Sequence, residues 1–449
     1  MTSKPLHRPP TWSSTALLTI VFVFPLLFTF TRAEQNLTDS QIAILVQRLA
    51  EGATHSWEIG TRHQTLIELD TPTFSVLNNT SLPPSSQAPD SLSVVLESIA
   101  QVVVNASKEA STSSPRAFFP EDGSSADPVS VGVAAIIANW TGQSNETVDY
   151  DAAIEAQMEF LWTNVPRTDD GALSHRVSQV QLWSDFVYMV PPFLTYYGVI
   201  RENISMVLEG YNQVKLYRQY LFDKDAGGLW KHVLMGSDFQ DEGHWSTGNG
   251  WAAAGMLRVL GTIKNSQYAN AMASEIGDLT GWINEIHSAM YDHLRDDGMF
   301  TNYPDDNDSF VDASSSALLA ATVYRHALLT NNYHHLPNAE TVRRALWATS
   351  DSVTPNSSSL EGMIHFDSDG WLTPVVNPNS FTYEGSKSPE AQAFTIQMYA
   401  AWKDWVDAGA VGANGVAPAL SKRSSRWTLG LVGIVSAITS GIFGGWGDV

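Results

Sequence analysis

Apolar residues recur at helical spacing in segment after segment of this 449-residue chain. One stripe runs through Ile204, Val207 and Leu208, and another through Ile283 and Ile286. Each stripe marks a face that must pack against a neighbouring helix, and no alternating run of useful length marks a strand. The spacing therefore predicts an all-α fold with about a dozen helices, at 39–51, 59–69, 91–108, 128–139, 149–163, 180–199, 203–222, 248–262, 268–293, 311–328, 338–352 and 388–408.

A short motif recurs four times between these predicted helices. It begins with an acid and a glycine, followed by an apolar or aromatic residue, as DDGALSHR (169–176), DAGGLWKHV (225–233), DDGMFTNY (296–303) and DSDGWLTPV (367–375). Glycine permits a tight turn with positive φ, after which a short extended segment can begin. Asp-Gly is a common turn anywhere, but its repetition between helix pairs predicts a toroid of helical hairpins with these loops at one end. We expect a functional site at that end.

Charge and residue usage exclude several classes of function. The formal net charge of -22 argues against nucleic acid or an anionic membrane surface as a partner. The absence of cysteine excludes disulfides, thiol nucleophiles and zinc–thiolate sites. The twelve histidines show no H-E-x-x-H or other ligand spacing, so we expect no metal and no cofactor.

The N-terminus has the pattern of a secretory signal peptide. Lys4, His7 and Arg8 precede an almost wholly apolar run from Ala16 to Phe30, and Ala33 offers a small residue for cleavage. The alternative is a signal anchor that stays in the membrane. Export is also indicated by the number of N-x-S/T sequons, at Asn36, Asn78, Asn79, Asn105, Asn139, Asn145, Asn203, Asn307 and Asn356. The sequence thus predicts a secreted glycoprotein.

The C-terminus predicts a membrane attachment. Small residues and a polar spacer precede an apolar, Gly-rich tail from Trp427 to Phe443, which fits the signal for a GPI anchor. A transmembrane helix is the alternative, but it would leave Lys422, Arg423 and Arg426 on the exported side.

The predicted organisation therefore has four parts. A signal peptide at 1–33 precedes a helical domain at 34–410, and a linker at 411–426 leads to a hydrophobic tail at 427–449.

The segment HRVSQVQLWSDFVYMVPPFL, residues 175–194, places one carboxylate, Asp185, among aromatic and apolar residues. If the segment is helical, Gln181, Asp185 and Met189 share one face. Partial removal from water raises the pKa of a carboxyl group, as a general acid near neutral pH requires. Alternatively, Asp185 is a structural acid that pairs with Arg176.

A second segment, DEGHWSTGNGW at 241–251, collects polar and aromatic residues around two glycines at a helix start. His244, Trp245, Asn249 and Trp251 lie there. The glycines allow the backbone to approach a ligand, and a helix N-terminus favours a negative group such as a sugar carboxylate. The alternative is a Gly-rich helix cap with buried tryptophans.

Several segments together resemble the unsaturated rhamnogalacturonyl hydrolases of glycoside hydrolase family 105, with the unsaturated glucuronyl hydrolases as more distant relatives. They are DGALSHRVSQVQLWSDFVYMVPPFL, GLWKH, GNGWAAAG, DASSSALLAA and GSKSPEAQAF, and the resemblance covers residues 127–409. It implies an (α/α)6 barrel, the six-hairpin toroid. It also implies removal of a 4,5-unsaturated uronic acid from the non-reducing end of pectin-derived, rhamnogalacturonan-like oligosaccharides, so an oligosaccharide is the expected partner.

The resemblance also implies roles for individual residues. Asp185 matches the family's general acid and base, which protonates C4 of the double bond while water adds at C5. Asp127, in DPVSVG, matches a second family Asp. The residues expected to shape the saccharide pocket are His175, Trp183, Trp230, His232, His244, Trp245, Asn249 and Trp251.

One position departs from the family pattern. Family members commonly carry Arg before G-N-G-W, where this chain has Thr247, and Thr cannot make the bidentate contact of Arg with a carboxylate. The saccharide therefore differs, or activity is low or lost. Two alternatives stay open: a glycosidase for saturated sugars that uses Asp127, Asp241 or Glu242 as a second carboxylate, and a non-catalytic cell-surface saccharide-binding protein.

Overall fold

The structure is a computed structural model that describes residues 36–109, 118–350 and 356–417. These residues form thirteen α-helices. In chain order they are α1 (Asp39–Gly52), α2 (Ser56–Asp70), α3 (Ser93–Glu109), α4 (Gly132–Trp140), α5 (Tyr150–Thr163), α6 (Phe186–Met189), α7 (Pro191–Ile200), α8 (Ile204–Leu221), α9 (Ser246–Asn265), α10 (Ala273–Tyr291), α11 (Ala313–Thr330), α12 (Leu336–Leu346) and α13 (Pro389–Asp407).

Six of these helices form a closed inner ring. Its order is α2, α4, α7, α9, α11 and α13, and α13 returns to contact α2. The inner helices are buried over most of their circumference, as the all-round apolar sequence GVAAIIANW of α4 illustrates. A helix that is apolar on every face is stable only where other helices cover it. The ring is therefore the centre of the core.

An outer layer of six helices covers the ring. α1 packs on α13, α3 and α5 pack on α4, α8 packs on α7, α10 packs on α9, and α12 packs on α11. The described strands add only three short antiparallel pairs, β1 (Leu182–Trp183) with β2 (Val233–Leu234), β3 (Phe300–Thr301) with β4 (Val311–Asp312), and β5 (Val375–Asn377) with β6 (Ser380–Gly385). The predicted all-α (α/α)6 toroid is confirmed.

The helix expected at 180–199 is wrong in its first half. Leu182 and Trp183 form β1, where they pair with β2, and the Ser184 N–H donates to the His232 carbonyl at 2.9 Å. Asp185 only precedes the four-residue α6, and a new helix begins at Pro191. Proline has no N–H to continue the preceding helix, so the chain turns there. Asp185 therefore lies at a turn, and the helical face that it was expected to share does not exist.

The four Asp-Gly loops have the predicted turn geometry. Their glycines all have positive φ, with values of 97° at Gly171, 103° at Gly228, 81° at Gly298 and 89° at Gly370. In each loop, a buried polar side chain from a helix accepts a backbone N–H two residues after that glycine. The pairs are Leu173 with Gln213, Trp230 with Asn249, Phe300 with Ser316, and Leu372 with Gln392. Buried backbone groups must be paired, so these contacts fix the loops on the barrel.

Several predictions fall on the ends of the chain. The predicted signal peptide at 1–33 and the hydrophobic tail at 427–449 lie outside the described residues. Within the part of the chain that the structure describes, no helix has the length and apolarity to cross a membrane.

Candidate active site

A cavity of about 360 Å³ lies beside two of the four Asp-Gly loops. The first loop contributes His175 and Arg176, and the second contributes His232. The rest of the wall comes from helices, from the turn before α6 and from the β5–β6 hairpin, with Trp57, Asp127, Trp183, Asp185, Met189, Phe239, Trp245, Trp251, residues 377–381 and Glu390. The loops at 296–303 and 367–375 do not line this cavity, so only two of the four loops contribute to it.

Asp185 and His232 form the centre of a chain of polar groups. Asp185 Oδ2 lies 3.5 Å from His232 Nε2, and Ser184 Oγ donates to the same oxygen at 3.2 Å. On the other side of the imidazole, Nδ1 lies 2.9 Å from Asp241 Oδ2, which also accepts a hydrogen bond from the Tyr303 hydroxyl at 2.7 Å. The imidazole of His232 thus lies between two carboxylates.

These contacts set the protonation of the pair. Burial raises the pKa of the Asp185 carboxyl, but the adjacent His232 imidazolium and the charge of His175 outweigh burial and lower that pKa below its ordinary value. Burial lowers the pKa of His232, but Asp185 and Asp241 outweigh it and raise that pKa. The raised pKa expected for Asp185 is therefore wrong for the free protein. Both directions favour an ionised Asp185 beside a protonated His232 in the free protein.

Asp127 lies beside a second histidine. It begins the 3-10 helix Asp127–Val131, and its Oδ1 is 3.4 Å from His175 Nε2. The His175 ring stacks on Trp183 with 4.9 Å between ring centroids and 16° between planes. The cavity therefore contains two carboxylate–histidine pairs, with the Trp183 indole next to both imidazoles.

Aromatic rings form much of the remaining wall. Phe381, on the β5–β6 hairpin, packs edge-on against His232 at 4.4 Å and lies 6.0 Å from Trp245. Phe239 packs edge-on against Trp183 at 5.5 Å. Such apolar ring surfaces are suited to the C–H faces of a sugar.

Arg176 is the only lysine or arginine that lines the cavity within the described chain. Its guanidinium carbon lies 5.5 Å from the centroid of the Trp183 ring, and the side chain is half-buried. It forms no ion pair within the described residues, including none with Asp185. The guanidinium is thus available to an anion in the cavity.

The structure does not place three of the predicted saccharide-binding residues on the cavity wall. Trp230 is fully buried, and Asn249 holds its backbone N–H and carbonyl at 2.8 and 3.0 Å. His244 Nδ1 lies 2.6 Å from Asp305 Oδ2, and His244 does not line the cavity. Asn249 makes the same kind of loop contact as the other buried polar side chains of the repeat, so we interpret it as a structural residue. The predicted residues that do line the cavity are Asp127, His175, Trp183, Asp185, His232, Trp245 and Trp251.

The glycines near the start of α9 serve packing. A Cβ on Gly248 would lie 2.4 Å from Ser184 Oγ, and one on Gly250 would lie 2.8 Å from the Leu318 side chain. Gly248 brings α9 close to the turn that presents Asp185, and Gly250 brings α9 close to α11, rather than either bringing the backbone to a ligand. Thr247 is fully buried and donates to Asp312 Oδ2 at 3.1 Å, so it does not face the cavity.

Sequence reasoning missed several residues of the wall. Trp57, Phe239 and Phe381 come from separate parts of the chain, and nothing local in the sequence marks them. Arg176 and Glu390 lie inside segments that carry the family resemblance. Each is a charged residue among mainly apolar or small residues, and this contrast was the one feature that could have marked them as site residues. No three or more His, Cys, Asp or Glu side chains in the described residues are arranged to hold a metal ion.

Comparison with known proteins found a family model and a curated relative that match parts of the chain. The model of Glycosyl Hydrolase Family 88 matches residues 107–367. The unsaturated rhamnogalacturonyl hydrolase YesR of Bacillus subtilis is 24% identical over 206 residues, which are 43% of this chain and 55% of that protein. The chain thus spans about half the length of the curated relative it matches.

Solved structures share the fold at low identity. A possible family 105 member from Klebsiella pneumoniae has a TM-score of 0.61 and 17% identity, covering 88% of this chain and 100% of that chain. A family 105 glycoside hydrolase from C. acetobutylicum has a TM-score of 0.59 and 14% identity, and the match covers 81% of this chain and 99% of that chain. Unsaturated glucuronyl hydrolase from Bacillus sp. GL1 has a TM-score of 0.53 and 12% identity, and the match covers 80% of this chain and 94% of that chain. The predicted family resemblance is confirmed.

Proposed function

Because the chain belongs to Glycosyl Hydrolase Family 88, we propose that it removes a 4,5-unsaturated uronic acid from the non-reducing end of an oligosaccharide by adding water across the double bond. The observation that carries this proposal is Asp185 Oδ2 at 3.5 Å from His232 Nε2, in an aromatic-walled cavity with one guanidinium that forms no ion pair among the described residues. The likeness to YesR supports rhamnogalacturonan-derived pectin oligosaccharides as the substrate class.

The pair Asp185–His232 supplies the proton. In the free protein the raised pKa of His232 favours the proton on its imidazole, whose Nε2 lies 3.5 Å from Asp185 Oδ2. A sugar that fills the cavity displaces water, and low polarity disfavours two separated charges more than two neutral groups. The proton then moves from His232 Nε2 to Asp185, which becomes the acid that the reaction needs.

The addition proceeds with Asp185 in both roles. The carboxylic acid donates its proton to C4, a water oxygen bonds to C5, and the water proton returns to the carboxylate. The resulting hemiketal opens to a ketone at C5, and the hemiacetal left at C1 releases the remaining saccharide. Asp185 ends the cycle protonated. Asp241 and Tyr303 hold the imidazole of His232 in place throughout.

The other residues of the cavity hold the sugar. Arg176 binds the uronate carboxylate, because it is the cation free for an anion and its planar fork fits a carboxylate. It supplies the positive charge that Thr247 does not. Asp127, beside His175, accepts hydrogen bonds from sugar hydroxyls, and the indole of Trp183 stacks on the ring.

We also propose that the enzyme is exported, glycosylated and attached to the cell surface. The N-terminal and C-terminal patterns of the sequence support this proposal, as does the exposure of sequon asparagines such as Asn105, Asn145, Asn203 and Asn307. Sensitivity of the purified native protein to N-glycosidase and to phosphatidylinositol-specific phospholipase would test both modifications.

Turnover of lyase-generated pectin oligosaccharides tests the activity. The absorbance of the conjugated double bond falls as water is added, so the reaction is followed directly. We expect Asp185→Asn to lower kcat by about 10²–10⁴-fold, because the amide can neither donate to C4 nor accept the water proton. Asp306→Asn, at an exposed surface loop, is the matched control and leaves kcat unchanged.

Two outcomes would contradict the proposal. Equal loss of absorbance with wild type and Asp185→Asn would remove Asp185 from the chemistry. Hydrolysis of saturated uronides, with no action on the unsaturated ones, would favour a conventional glycosidase with two carboxyls, for which Asp127 and Asp185 both line the cavity.

A further inference from the structure

Glu390 is a third carboxyl in the cavity, and the proposed mechanism leaves it unused. It lies in the first turn of α13 and is 5% exposed. Trp57 Nε1 donates to Oε1, and Oε2 has no hydrogen-bond partner among the described residues. Since the residue lines the cavity, Oε2 is the atom that a bound sugar can reach.

The surroundings of Glu390 oppose its ionisation. Burial raises the pKa of this carboxyl well above its ordinary value, and the nearby charges of Glu58, Asp185 and Asp127 raise it further. The Trp57 N–H and the first turn of a helix both favour the ionised form, but they are weaker than burial beside three carboxylates.

Arg176 and His232 do not neutralise the charge of Glu390. Arg176 lies over Trp183, and His232 lies between Asp185 and Asp241. Neither forms an ion pair with Glu390 in the described chain. A third negative charge beside Asp127 and Asp185 would repel a uronate that enters the same space.

We propose that Glu390 binds the substrate as a neutral acid, with its Oε2 hydroxyl donating a hydrogen bond to an oxygen of the terminal uronate. The inference rests on the proposed function for the identity of that sugar. The acid form adds a donor without adding a charge, so the cavity can admit an anionic sugar next to Asp185, which performs the reaction, and Asp127, which binds sugar hydroxyls.

The dependence of KM on pH tests this role. For wild type, KM for the unsaturated oligosaccharide should rise about tenfold per pH unit once Glu390 ionises, because one proton is lost. In Glu390→Gln, which keeps a donor and cannot ionise, KM should stay within about threefold of the low-pH wild-type value across the range. Glu384→Gln, an exposed glutamate on β6, is the matched control and keeps the wild-type profile.

A second variant should shift the alkaline rise in KM to higher pH. Trp57→Phe removes the N–H that favours the ionised carboxyl, so the rise in KM should begin at a higher pH than in wild type. The same alkaline rise in wild type and Glu390→Gln would overturn the proposal. The proposal would also be overturned if Glu390→Gln raised KM by the same factor at every pH and kept the alkaline rise, since that result indicates a structural role.

Failure of this proposal is distinguishable from failure of the proposed function. The carboxyl carbon of Glu390, identified by its absence from the ¹³C spectrum of labelled Glu390→Gln, should report a protonated group at pH 7 in the sugar-free protein. An ionised group overturns the inference whether or not the oligosaccharides are turned over. If turnover is absent, calorimetric binding of glucuronate across the same pH range replaces KM, and equal pH dependence in wild type and Glu390→Gln overturns the contact.

Discussion

Removal of the Arg176 guanidinium should weaken binding of a uronate far more than it slows the chemistry. Two unit charges about 4 Å apart interact with about 4 kcal/mol at an effective dielectric constant of about 20. Arg176 is half-exposed, so solvent reduces this value towards the range of about 1.5–3 kcal/mol for a hydrogen bond to a charged group. Since about 1.4 kcal/mol corresponds to a factor of ten, Arg176→Ala should raise KM by about 10–100-fold.

The effect should be confined to KM. Arg176 would contact the carboxylate equally in the ground state and in the transition state, and uniform binding of this kind changes KM with little change in kcat. Arg176→Lys should fall between wild type and Arg176→Ala, because lysine keeps the charge but loses the bidentate fork and the stacking on Trp183. Both parameters follow from initial rates of absorbance loss on unsaturated oligosaccharides.

A matched control separates local from general electrostatics. Arg295→Ala removes a guanidinium that pairs with Asp297 at the surface, so it changes the net charge equally without touching the cavity. Its KM should stay within about twofold of wild type, since surface charges are screened. If Arg176→Ala binds the oligosaccharide as tightly as wild type while Asp185→Asn remains inactive, the carboxylate is held by another group and the reasoning is wrong.

Two further predictions follow from the polar chains behind the cavity. Asp241→Asn removes a carboxylate that raises the pKa of His232, so the Asp185–His232 pair should lose its proton at lower pH. The alkaline limb of kcat should move down by about 1–2 pH units, and an unmoved limb would show that His232 does not hold the catalytic proton. Asn249→Ala leaves the backbone N–H and carbonyl of buried Trp230 without partners, so the free energy of unfolding in denaturant should fall by about 2–4 kcal/mol. KM at a permissive temperature should not change, whereas a large rise in KM would indicate the direct saccharide contact first expected for Asn249.

Helical periodicity and the recurring loops were sufficient to predict the architecture from the sequence. The stripes on α8 and α10 and the four Asp-Gly loops predicted a toroid of hairpins, because a period of 3.6 residues and a glycine with positive φ are local requirements. The segment before α6 was mistaken for helix. Its Val, Leu and Trp residues suited either state, and pairing of Leu182 with Leu234, about fifty positions away, decided for a strand.

The presence of Asp185 at the candidate site could also be inferred from the sequence, through its apolar context and the family resemblance. Its protonation could not. Burial alone predicts a raised pKa, and only the folded chain brings His232 to 3.5 Å and Asp241 to the far side of the imidazole. Electrostatic shifts depend on distance in space, which sequence separation does not give.

The sequence by itself determined the helices, the loop turns and the family, because each depends on residues close together in the chain. Only the tertiary structure decided which side chains share the cavity. It brought Arg176 and Glu390 to the wall, and it buried Thr247, Trp230 and Asn249 behind it. Closure of the inner ring joins α13 to α2, more than three hundred residues apart, and so places Glu390 against Trp57. Such contacts follow from the packing of whole helices, and no local pattern specifies them.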